Sequence, residues 1–231
     1  MEQPSASTRL AGAVRDLASE VVSALRGGDH PGVVCAPAGI VEDDKLGIAA
    51  VRVLGADVLL PSIMSRRRPE GLDVRILRQA LTAFPPGADA SRATAWSHWA
   101  MARSLRALDP PVPHPADDEP DASWLDTAPW QALTHQVSLL AALAVPGGDC
   151  GVLRALARRP HDVARGFVRA VRRRDWLQAA GAGRWLAVLD DVPPSLGLDT
   201  GLEFIQHMDG ADPRVALHVS AAQLLRAGAP R

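Results

Sequence analysis

Apolar residues in this chain return every three or four positions, segment after segment, and that spacing admits little besides helices. Leu10, Val14, Leu17, Val21 and Leu25 mark one stripe closed by Gly27-Gly28, which predicts an amphipathic helix over residues 8–26. Acidic Glu42-Asp43-Asp44 then stands before Ile48, Val51 and Leu54, as a helix N-terminus prefers. A helix over 72–83 is closed by Phe84-Pro85-Pro86-Gly87, and a longer one, capped by Asp89 or Ser91, runs to about Leu108. Asp126 or Thr127 can cap, and Pro129 can start, a helix ending near Val145-Pro146. Further helices are expected over 149–157, 161–174, 176–189, 198–209 and 213–226, the last with Asp212 as cap and Pro213 at its first position. Only Val33-Val34-Cys35 reads as a short strand, and the apolar run Ala56–Met64 shows no clear period.

The expectation is an all-α protein, a multi-helix bundle of about nine to ten helices, with α-solenoid-like helix pairs left open at the C-terminal end. Residues 109–123 hold five prolines among acidic residues, a composition that resists both helix and strand. They are read as a linker or exposed loop between an N-terminal lobe, 1–108, and a C-terminal lobe, 124–231. The two lobes are also compatible with one domain.

Basic and acidic residues nearly cancel, 25 Lys and Arg against 26 Asp and Glu, so any electrostatic partner must be met locally rather than by a whole-chain field. Two cysteines, Cys35 and Cys150, are too few for a disulfide framework and predict reduced thiols. The first residues carry no basic-then-apolar leader, and no run of about 18 consecutive apolar residues appears, so a cytoplasmic protein with no membrane partner is expected. Lys45 is the sole lysine and tyrosine is absent while Ala, Arg, Gly and Pro abound, a bias that suggests a GC-rich bacterial genome.

Local charge is concentrated twice. On a helix over 91–108, His98, Met101, Leu105 and Leu108 fall on one arc, while Trp96 and Trp99 fall on another with Arg92, Arg103 and Arg106. Indoles interleaved with guanidinium groups can stack on a planar ligand or clamp an acidic partner, provided they point outward. The plainer account has the acidic loop after Asp109 cover that face. From Arg154 to Arg174 there are eight arginines against Asp162 and the following Asp175. On a wheel for 161–174, Arg165, Arg169, Arg172 and Arg173 lie opposite Val163, Ala164, Phe167, Val168 and Val171. That basic face can bind phosphates or an acidic segment, or can simply be solvated or paired with the Asp117-Asp118-Glu119 loop.

Other constellations are thinner. Glu203 and His207, one helical turn apart, can offer two metal ligands, yet they lie opposite Leu198, Leu202, Ile205 and Met208 and so face solvent. No metal and no cofactor are expected on this reading. His161-Asp162 matches only the centre of the ligand order of HD phosphohydrolases, and Trp185–Asp191 has the look of a Walker B strand in a chain without a P-loop.

Two functions follow as expectations. One is a helical binding or accessory protein that engages a protein or an anionic small molecule through the Trp and Arg faces, with nucleic acid ranked below both. The other is a small-molecule enzyme of bacterial specialised metabolism, with a pocket between helices that draws on His98, His135 or His218.

Overall fold

A computed structural model describes residues 5–27, 33–108 and 118–228, and among them every regular element is helical. Eleven helices exceed one turn and a twelfth is a single turn, slightly more than the sequence predicts. The chain divides into two compact units, residues 1–117 and 118–231. Of the proline-rich stretch, residues 109–117 lie outside the described residues. The remainder, from Asp118, belongs to the second unit.

In the first unit α1 (Ala6–Arg26) is capped by Ser5, whose Oγ accepts from Thr8 N, and α2 (Lys45–Leu54) by Asp44, which accepts from Leu46 N. A 3-10 turn, Gly55–Leu59, and the short helix α3 (Leu60–Ser65) carry the apolar run whose period was ambiguous. It is ambiguous because the run is enclosed on every side as far as Ser62: Ala56, Val58, Leu59 and Leu60 are all at most 3% exposed. Helix α4 (Gly71–Ala83) packs on α2, and α5 (Arg92–Leu108), begun by Ser91, packs on α4 and the 3-10 turn. Lys45–Ser65 has the length and mean hydropathy, 1.7, of a membrane span, but two thirds of it is buried inside this unit and Pro61 and a 3-10 turn interrupt it. It is the core of the unit.

The expected strand at 33–35 is not formed. Asp73 on α4, only 2% exposed, accepts from Val34 N at 3.0 Å and Cys35 N at 2.8 Å. Those amides are satisfied by a carboxylate instead of by a neighbouring strand, and residues 35–39 form turns.

The second unit is arranged around α10 (Trp176–Leu186), which packs on α7 (Trp130–Ser138), α9 (Pro160–Arg172), α11 (Leu198–Asp209) and α12 (Pro213–Gly228). A helix enclosed by four others makes a bundle. It departs from the solenoid left open above, in which each pair would touch only its neighbours. Small residues permit the enclosure: a Cβ on Gly181 would stand 2.8 Å from Ser138 O, and one on Gly166 of α9 would stand 1.9 Å from Thr134 Oγ1 of α7. The single turn α6 (Trp124–Thr127) and α8 (Gly151–Ala157) complete the unit. Arg159 ties the chain around α6 to the start of α9. It donates to Leu125 O at 2.6 Å and Ala128 O at 2.8 Å and pairs with Asp162.

Candidate functional site

The aromatic face expected on α5 is not displayed. Trp96 is 0% and Trp99 6% exposed, with ring centroids 5.3 Å apart at 78°, an edge-to-face pair inside the first unit. Arg103 lies over the Trp99 ring at 5.1 Å, Arg106 is half-buried, and Arg92 is exposed. The wheel separates two arcs, but the indoles of the second are covered, because α5 packs on α4 and on the 3-10 turn together. An indole has too much apolar surface to stay outside when a wall is available.

The basic face on the second unit is displayed. Arg165, Arg172 and Arg173 are exposed on or just after α9 and Arg169 is half-buried, while Val163, Ala164 and Phe167 are buried on the opposite side. Val168, expected on the apolar side, is 42% exposed.

Several acidic groups of this unit are committed elsewhere. Glu119 accepts from Arg154 Nη2 at 3.3 Å and from Gly151 N, and Asp126 accepts from Arg158 at 2.5 Å. Asp212 pairs with Arg214 at 2.8 Å, and Asp199 pairs with Arg226. Hydrogen bonds to Asp149, Asp212 and Asp199 raise the Arg154, Arg214 and Arg226 guanidiniums further above their ordinary pKa. Among the described residues no carboxylate comes within ion-pair distance of Arg165, Arg169, Arg172 or Arg173.

What these guanidiniums do meet is an aromatic ring that the sequence reading passed over. Trp130, the first residue of α7, is half-buried, with Arg165 over its ring at 5.0 Å and Arg169 at 5.7 Å. Pro129 before it fixes the turn of chain that brings the ring to α9. The contact is legible in the sequence only as a tryptophan at a helix start; its partners lie far along the chain.

Beside this pair opens a groove of about 870 Å³. The four arginines form one side, Val168, Pro193 and Leu196 supply aliphatic surface, and Trp130 and His161 also line it. A smaller groove of about 450 Å³ shares Trp130, Arg169 and Arg173 and reaches Asp175, Gln178 and His135. Guanidinium forks match carboxylate and phosphate oxygens, so four cations without an ion-pair partner around a concave, partly apolar surface have the chemistry that anion binding requires.

Within the second unit, His135 and His218 do not converge. His98, half-buried in the first unit, has Nε2 3.4 Å from Leu81 O. In the second unit His135 is exposed with Nδ1 3.3 Å from Gln178 Oε1, whereas His218 is half-buried with Nδ1 3.4 Å from Arg184 Nη1. Gln178 and Arg184 are six residues apart on α10, about 9 Å along its axis. Arg184 itself, 0% exposed, donates through Nε to Ala144 O at 3.1 Å.

Glu203 and His207 are both exposed on α11, and among the described residues no cluster of three His, Cys, Asp or Glu side chains is placed to hold a metal. Asp162 of the His161-Asp162 pair is bound by Arg159 at 2.5 Å. Cys35 and Cys150 are buried and not joined to each other. Burial, then the charge of Asp73 and a hydrogen bond to it, push the Cys35 thiol far above the usual thiol range, so it is unsuited as a nucleophile.

Comparison with protein families, with curated proteins and with solved structures finds no match to this chain.

Proposed function

We propose that this is an anion-binding helical protein of the bacterial cytoplasm, which holds an anionic small molecule or an acidic partner on the outer face of α9. One observation carries the reading. Arg165, Arg169, Arg172 and Arg173 share a groove with no carboxylate within ion-pair distance of them among the described residues, while Arg154, Arg158 and Arg159 of the same unit are paired. Trp130 supports it by holding two of the four guanidiniums over its ring, which lowers the entropy lost when an anion is gripped. The partner face thus moves from α5, where the sequence pattern favours it, to α7 and α9.

Thermal unfolding with inorganic sulfate, phosphate and pyrophosphate at constant ionic strength tests the reading. Pyrophosphate is expected to raise the transition temperature of the second unit, and Arg169→Gln with Arg172→Gln to abolish the rise. Equal shifts in wild type and variant overturn it.

A further inference from the structure

We infer that the α9 groove takes an aliphatic diphosphate, a diphosphate head joined to a hydrocarbon tail. The inference rests on the anion-binding reading and adds the chemistry of the ligand's other half. On the basic side the arginines recur at i, i+4, i+7 and i+8, so their Cα atoms climb about 12 Å of helix axis. Such a ladder of forks suits linked phosphoryl groups better than a single one.

The remaining lining is partly aliphatic, with Ser195, His161 and Trp130 beside it. Val168 stands 42% exposed on the same helix as the arginines, and Pro193 and Leu196 line the groove with it. A site for a bare inorganic anion has no use for that surface; a hydrocarbon tail leaves water by lying on it. The groove's one aromatic ring does not favour a nucleobase, because Trp130 is already engaged by Arg165 and Arg169. The volume, about 870 Å³, falls within the range of small-molecule pockets.

Isothermal titration of the full chain with inorganic pyrophosphate and with geranyl diphosphate, at one ionic strength, is the test. Geranyl diphosphate is expected to bind at least about tenfold more tightly, the equivalent of roughly two buried methylene groups. Leu196→Ser should bring the two ligands to within about twofold of each other, and Val168→Ser, at an exposed position that leaves the fold intact, should do the same. Arg169→Gln with Arg172→Gln should weaken both ligands about equally.

Equal affinities in wild type, with arginine-dependent pyrophosphate binding retained, overturn the diphosphate-ester proposal and leave the anion site standing. Loss of pyrophosphate binding from the wild type overturns both. A tail advantage that survives both serine substitutions overturns the assignment to this groove. An oligouridylate or a polyglutamate peptide that displaces geranyl diphosphate at lower concentration overturns it in favour of a polymer.

Discussion

Arg165 holds its guanidinium carbon 5.0 Å from the centroid of the Trp130 ring, bringing the exposed face of α9 onto the start of α7. Arg169, one turn later, reaches the same ring at 5.7 Å. The ring thereby meets two of four cations that have no carboxylate within ion-pair distance among the described residues, which on the proposed reading makes Trp130 a positioning residue.

Trp130→Ala is therefore expected to weaken pyrophosphate binding about five- to thirtyfold, as two exposed cation–π contacts are worth roughly 1–2 kcal/mol together. Trp130→Phe should recover part of that loss. Titration calorimetry measures both, and unchanged far-ultraviolet circular dichroism separates the effect from unfolding. Full affinity in Trp130→Ala would show that the ring does not position the arginines.

The buried indoles of the first unit predict the opposite pattern. Trp96→Ala removes a side chain with no exposed surface and is expected to cost about 3–5 kcal/mol in urea unfolding. Pyrophosphate affinity, carried by the second unit, should not change. A loss of affinity with stability intact would restore α5 as the binding face.

Gly166 marks the closest crossing of α7 and α9, since a Cβ there would stand 1.9 Å from Thr134 Oγ1 and 2.4 Å from Thr134 Cβ. Gly166→Ala is expected to destabilise by about 1–3 kcal/mol through overpacking. Thr134→Gly in the same chain removes the clashing atoms, so the double variant should be less destabilised than the sum of the singles. Strict additivity in denaturant unfolding would mean that the helices separate without cost.

Cys35 makes stability depend on alkaline pH. Its thiol titrates higher in the folded chain than in the unfolded one, chiefly because of burial and secondarily because of Asp73. The folded state therefore favours the protonated form, and its advantage is complete below the unfolded thiol pKa of about 8.5 and lost as pH rises above it. The loss should approach about 1.4 kcal/mol per pH unit between roughly pH 9 and 10.5. Cys35→Ala is expected to remove that share of the slope in unfolding measured across this range. An identical slope in the variant would place the pH dependence elsewhere.

Much of the fold is legible in the sequence because it is written in local terms. Asp44, Ser91 and Asp212 accept bonds from the first-turn amides of α2, α5 and α12, and apolar periodicity sets which faces of α1 and α9 are buried. The failures have one physical origin. Val33-Val34-Cys35 has strand composition, yet Asp73, far along the chain, takes its amides. The helix begun near Pro129 ends at Ser138 rather than near Val145, and a 3-10 turn, Ala141–Leu143, follows.

For the site, local periodicity already makes α9 amphipathic with arginines on its outer face, since side-chain spacing on a helix needs no partner to define it. Which arginines stay unneutralised is not local, because ion pairs such as Arg158 with Asp126 join residues distant in sequence. Helix packing turns Trp96 and Trp99 inward and brings Trp130 to the arginines. Burial depends on whether another surface arrives to cover a ring, and that arrival is a property of helix packing rather than of any segment alone.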